Sequence, residues 1–300
     1  LRDGRPVPQP QPAADYADFA DWQRRMLAGP RGDRLREFWR ERTAGAELLR
    51  LPTDRPRTEA PSLDGASTEH RLDAELIAAA ERYAAEAGVS LFAVLFTAWI
   101  AMLDRHAEQR RITVGTPVAG RPEGRFAGTV GYFVNLVPVT VEPGPRDTFG
   151  TLLRQVRAEA LDAVEHGDHP FLRIAEDHGG PLVSTAFYFQ NWLAERSGPA
   201  LVRGLVDGVH QEGEFELTAD VVRSAEDCRL TLKYDPQLFD RATVDGFAER
   251  FRTLLAGCLA DPGRPLADLD PRTTAERELA AAEQRAAHRD YPRGRTVVDL

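Results

Sequence analysis

Residues 91–103 read LFAVLFTAWIAML, a run without a charge, and its reading decides the fold. A stretch of this length, free of Gly and Pro and preceded by Ser90 as an N-cap oxygen, predicts a helix. Its apolar residues cover every side instead of one stripe, so the helix has to lie between other layers. It falls short of the roughly 20 residues that cross a bilayer and ends at Asp104-Arg105-His106, which predicts a core helix and no membrane anchor. Downstream, ITVGTPV at 112–118 and VGYFVNLVPVTV at 130–141 are dense in Val and Thr and flank a glycine-bearing loop, predicting two strands of a central sheet. A helix wrapped on all sides next to strands predicts an α+β fold, an α/β sandwich in which helices pack a mixed sheet.

Working outward, residues 66–72 predict a strand, and Asp73 starts a helix that runs to Ala87, with Gly88 just past its end. Further upstream, helical spacing predicts short helices over 15–27 and 33–43, joined by the breaker Gly29-Pro30. A proline-rich lead-in occupies the first dozen residues, and the proline-rich stretch 51–65 predicts an extended connection at a lobe boundary. On the other side, helix 147–165 presents Leu152, Leu153, Val156, Ala160, Leu161 and Val164 as a core stripe and breaks at His166-Gly167. Strands are predicted at 183–190, 214–222 and 229–234, then a closing helix at 243–259. Turns at 261–272 and a charged, alanine-rich helix at 273–287 read as a linker.

The chain has 300 residues with 42% hydrophobic content, which excludes a disordered tail or a small disulfide scaffold. Its 38 Lys+Arg against 47 Asp+Glu give a net charge of −9 with no basic face, so no nucleic-acid partner is expected. Lys233 is the only lysine, which reads as codon bias. Cys228 and Cys258 lack a Cys-x-x-Cys spacing or a neighbouring His cluster, which predicts reduced thiols in a cytoplasmic protein and no metal site. A nucleophile elbow is absent, and with one lysine no phosphate-binding Gly-Lys loop exists. Gly120, Gly124 and Gly128 read as turn glycines. In HGDHPF at 166–171, two imidazoles three residues apart lack a third ligand and are expected to cap carbonyls or face solvent, as is His178, while His70 and His106 read as packed or capping residues. Asn135 inside GYFVNLVPV and Asn191 at the end of AFYFQN read as interior amides. Each either satisfies neighbouring backbone or lines a cavity that binds a substrate amide.

Taken in order, YADFADWQ (16–23), LPTDRPR (51–57), VGTPVAGR (114–121), VGYFVN (130–135), HGDHPF (166–171), FELT (215–218) and YDPQLFD (234–240) resemble a condensation domain of a nonribosomal peptide synthetase. The resemblance covers about residues 13–270 and implies chloramphenicol-acetyltransferase-like lobes around a tunnel. Residues 1–50 then correspond to the end of the N-lobe, 51–65 to the inter-lobe connection and 66–270 to the C-lobe. Residues 271–300 correspond to a linker and the start of an adenylation domain. The family's His-His-x-x-x-Asp-Gly motif does not occur in the sequence, so no catalytic residue is assigned, and a fragment inactive without its missing N-lobe is expected. The resemblance implies peptide-bond formation between thioesters on carrier-protein partners, with phosphopantetheine arms as substrates, no cofactor bound directly and an adenylation domain in cis. It places Asn135, Gly131, Arg121 and Asn191 on the tunnel side in orienting or structural roles. At 176–184, EDHGGPLVS departs from the family's usual Arg-Asp-x-Ser-Arg-Asn-Pro-Leu and keeps only Pro181 and Leu182. A competing expectation is a non-catalytic platform that docks a carrier protein or a tailoring enzyme.

Overall fold

The computed structural model describes residues 13–58, 64–121, 123–191, 215–225, 227–272 and 274–287. Two helices lead, α1 (Tyr16–Leu27) and α2 (Pro30–Thr43). Asp15 caps α1 through a capping box with Asp18, and α2 begins at Pro30 instead of Asp33, because proline lacks only an N–H that the first turn leaves unpaired anyway. β1 (Ala66–Arg71) follows, then α3 (Ala74–Ala87), ended by Gly88 at φ +64°, and α4 (Leu91–Asp104), capped by Ser90. β2 (Ile112–Val118), β3 (Asn135–Val141), α5 (Phe149–Glu165) and α6 (Phe171–His178) come next. The chain then runs through β4 (Thr185–Gln190), β5 (Leu217–Arg223), β6 (Cys228–Tyr234), α7 (Arg241–Ala260) and α8 (Thr274–Ala287).

The six strands form one mixed sheet in the order β1-β6-β5-β4-β2-β3. The inner strands β2, β4 and β5 run parallel, while β3, β6 and β1 pair antiparallel with their neighbours. As expected, α4 is the centre, with Ala93 to Leu103 buried without interruption. It packs on α3, α5 and α7, and turns Phe92, Phe96 and Trp99 onto Phe187 of β4. Each such side chain contributes about 1.5–3 kcal/mol by burial, so this helix joins the layers more strongly than its own propensity would. No single described helix is long and apolar enough to cross a membrane.

Two further expectations are corrected. The second predicted strand begins at Asn135 and not at Val130; the last ladder pair is Val118 with Asn135, and residues 130–134 leave the sheet. On α5, Leu152, Leu153, Val156, Ala160 and Ala163 face the core, but Leu161 and Val164 are exposed. Each stands one residue, about 100°, round the helix from Ala160 and Ala163, which carries it off the buried stripe.

Candidate functional site

The carboxyl ends of the parallel strands β2, β4 and β5 and the amino end of β3 share one end of the sheet, and Arg121, Asn135, Gln190 and Asn191 all lie there. The loop between β2 and β3 starts with Gly120 at φ +61°, where an added Cβ would sit 1.8 Å from the Phe133 carbonyl oxygen. Arg121 follows and donates through Nη1 to the Phe126 and Thr129 carbonyls, and its guanidinium lies 4.0 Å from the Phe133 ring centre. Phe126 and Phe133 pack with Phe19 and Ala14 into a small second core under the loop.

Gly131 lets α1 approach this loop. A Cβ there would fall 2.2 Å from Cδ2 of Tyr16, whose hydroxyl donates to the Tyr132 carbonyl at 2.7 Å. Held this way, the loop turns Val130, Tyr132 and Val134 outward, 91%, 75% and 47% exposed. Arg121 and Gly131 therefore both act on the loop's shape.

Asn135 joins two motifs that are 31 residues apart in sequence, VGYFVN and HGDHPF. Its Nδ2 donates to the carbonyls of Gly167 (2.9 Å) and His169 (2.8 Å), and its Oδ1 accepts the Phe171 N–H at 3.0 Å. All three bonds go to backbone, and the side chain is half-buried. Asn191 is corrected more sharply: it is exposed just past β4 and is no interior amide.

The histidines divide by their partners. His166 caps α5 by donating from Nδ1 to the Asp162 carbonyl at 2.8 Å, and its ring stacks on Phe38 at 3.5 Å. His106 donates from Nδ1 to the Met102 carbonyl and accepts from Arg250, and burial lowers its pKa. In β1, Nε2 of His70 meets both Thr68 Oγ1 and Asp245, so the ring cannot relay a proton between them. His169 departs from the expectation, neither capping a carbonyl nor facing solvent: it is 4% exposed with no hydrogen-bond partner on either ring nitrogen, and burial lowers its pKa. Cys228 and Cys258 are buried, and desolvation pushes their thiols up to about 12. Among the described residues no group of His, Cys, Asp and Glu gathers as a metal site.

Sequence reading missed one polar cluster, Gln190, Asp220 and Lys233. The sequence offered only a lone lysine inside a predicted strand; the pairing of β6 with β5, which brings Asp220 beside it, comes from the structure. Asp220 and Lys233 form an ion pair at 2.9 Å, and Gln190 donates to the same carboxylate at 2.9 Å.

A family model described as Condensation domain matches residues 1–279. The chain is 30% identical to tyrocidine synthase 2 of Brevibacillus parabrevis, over 100% of this chain and 9% of that protein. It is 33% identical to the phosphinothricin tripeptide synthetase PhsC of Streptomyces viridochromogenes, over 93% of this chain and 26% of that one. The chain thus spans only a small part of these relatives. Among solved structures, the X-domain in complex with OxyB from teicoplanin biosynthesis superposes with TM-score 0.78 at 26% identity, covering 91% of this chain and 64% of that one. The first condensation domain of the calcium-dependent antibiotic synthetase, in complex with a substrate analogue, gives 0.73 at 22% identity and 90% and 60% coverage, a likeness of fold. The sheet and its helices are thus the chloramphenicol-acetyltransferase-like α+β arrangement, and the chain belongs to the condensation-domain family of nonribosomal peptide synthetases.

Proposed function

We propose that this chain forms the acceptor-side part of a catalyst of peptide-bond formation. The amine of an aminoacyl thioester on an acceptor carrier attacks the donor thioester carbonyl. The C–N bond forms, the C–S bond breaks, and the donor thiol leaves with the proton released by the amine. A thioester is already activated, so the work is placing the amine against the carbonyl and keeping water away. The observation that carries this reading is the Asn135 clamp, which fixes VGYFVN and HGDHPF together beside the carboxyl ends of the parallel strands.

In this reading residues 1–50 end one lobe, 51–65 cross between lobes, 66–270 form the second lobe, and 271–300 lead into an adenylation domain. With no His-His-x-x-x-Asp-Gly in the sequence, the histidine that orients the amine comes from an N-lobe outside these residues. Carrier domains are the partners and their phosphopantetheine arms the substrates, with no resident cofactor. A second reading, a docking platform without chemistry, is favoured by the 26% likeness to the X-domain, solved in complex with OxyB.

The test loads donor and acceptor carriers with aminoacyl phosphopantetheine and follows dipeptidyl-carrier formation by intact-protein mass spectrometry, with this chain alone and with the N-lobe added. Product only with the lobe is expected. Product from the chain alone refutes the external histidine, and none in either arm leaves the platform.

A further inference from the structure

His169 lies beside α2, α6 and the start of β3 with its backbone tied and its ring untied. Its N–H donates to the His166 carbonyl at 3.3 Å, and its own carbonyl accepts from Asn135 Nδ2 at 2.8 Å. The side chain is buried, and among the described residues neither Nδ1 nor Nε2 has a hydrogen-bond partner. A buried polar group left unpaired is rare and costly, and an apolar ring would serve packing better. Neutral imidazole can stay there. Imidazolium cannot, because it would bury a charge and two N–H donors with nothing to receive them. The charged groups that face the ring do not relieve this. Arg36 of α2 and Arg173 of α6 oppose a positive charge; Asp177 of α6 favours one but already accepts from Arg36 Nε at 3.0 Å. Within the turn itself, Asp168 is paired with Arg31 of α2, and the His166 ring stacks on Phe38.

What encloses the ring can open without the rest of the fold. α6 has eight residues, too few for a helix to hold by itself, and of these only Ile174 is buried. α2 meets α6 through Arg36–Asp177 and the turn through Arg31–Asp168, and both arginines are at least half exposed, so these ion pairs add little. A segment held this way opens locally far more readily than the buried helix α4.

We propose that His169 is an acid-operated latch: protonation expels its ring, and residues 167–178 come away from α2 and from Asn135 as one unit while the sheet and α4 stay folded. Above about pH 6.5 the neutral ring is packed and the latch is shut. Below that value the open form, whose ring is in water, takes the extra proton and gains population. The joining of VGYFVN to HGDHPF thereby responds to acid ahead of the fold as a whole.

The test is amide hydrogen exchange of this chain between pH 7.5 and 5.5, with rates corrected for the intrinsic pH dependence of exchange. The Phe171, Arg173 and Ile174 amides, bonded to Asn135 Oδ1 and to the Pro170 carbonyl, report the latch, and amides in the middle of α4 report global unfolding. One pH unit below its ordinary pKa, a histidine that titrates only in the open form multiplies the open population by about tenfold. The latch amides are therefore expected to be less protected than α4 at pH 7.5 and to lose up to about tenfold more protection by pH 5.5. In His169→Phe, which keeps a flat ring and cannot take the proton, that acid loss should vanish. The ring Cε1 proton of His169, followed by NMR in the wild-type chain, gives a reading that does not depend on the variant folding. It should keep its neutral shift below pH 6 for as long as the latch amides stay protected. Latch amides with flat protection, an acid loss that persists in His169→Phe, exchange only in step with α4, or a ring that titrates near 6.5 behind protected amides would each overturn the proposal.

Discussion

Replacing Asn135 by alanine removes the side-chain hydrogen bonds that join two segments distant in sequence. Three hydrogen bonds disappear, two to the Gly167 and His169 carbonyls and one from the Phe171 amide. At about 1 kcal/mol net for each, with some relief because water reaches a half-buried site, the expected loss is about 2–3 kcal/mol. For a domain of this size that lowers the thermal midpoint by about 3–5 °C. Asn135→Asp is the sharper variant. It keeps an acceptor for the Phe171 N–H but turns a charged oxygen toward two carbonyl oxygens, so it should be less stable than alanine at pH 8. The assay is thermal unfolding followed by circular dichroism, with hydrogen exchange at the Phe171 amide as the local readout. Faster exchange at Phe171 is expected in Asn135→Ala and not in Asn135→Asp. An alanine variant melting with wild type, or an aspartate variant melting above alanine, would refute the reasoning.

Gly131→Ala should displace the Tyr16 ring, since its Cβ falls 2.2 Å from Cδ2, at a cost of about 1–3 kcal/mol. Amide exchange in α1 and the near-ultraviolet tyrosine signal report it, and an unchanged signal counts against the packing described. His169 sets a pH dependence. Burial lowers its folded pKa, so the unfolded chain binds the extra proton first, and stability present above about pH 6.5 is lost as pH falls below that value. Asp177 opposes this shift, while Arg36 and Arg173 add to it. The urea midpoint should drop between pH 7.5 and 5.5, and His169→Leu should narrow the drop; a midpoint that rises on acidification contradicts the sign.

The core was legible because its signal is local. Thirteen apolar residues at 91–103 announce a helix with no solvent face, and Ser90 before it and Gly88 past the end of the preceding helix mark their boundaries within a residue or two. What failed depended on contacts distant in sequence. Val130 to Val134 has β-forming residues, but Tyr16 of α1 holds the Tyr132 carbonyl and keeps the segment out of the ladder, while Arg121 ties the Phe126 and Thr129 carbonyls within the loop. Asn135 was visible as a polar residue in an apolar run, yet its partners lie more than thirty residues on. Asn191 looked interior because it ends an aromatic strand, and the strand stops one residue before it. Lys233 carries no more than codon bias on its face, since nothing in sequence tells which strand will bring Asp220 beside it.

The pairing of β1 with β6 also bears on how the chain is made. Ala66 meets Tyr234 and Arg71 meets Arg229, so about 160 residues separate the partners. At a synthesis rate of about 5–20 residues per second, β1 leaves the ribosome roughly 10–30 s before its partner exists. During that interval it is a bare strand, and its sequence ASTEHR suits the wait: Glu69, His70 and Arg71 offer little to a neighbouring nascent chain. Translation speed over residues 72–228 thereby becomes a determinant of yield, and slowing it should raise the aggregated fraction more than slowing it anywhere after Tyr234.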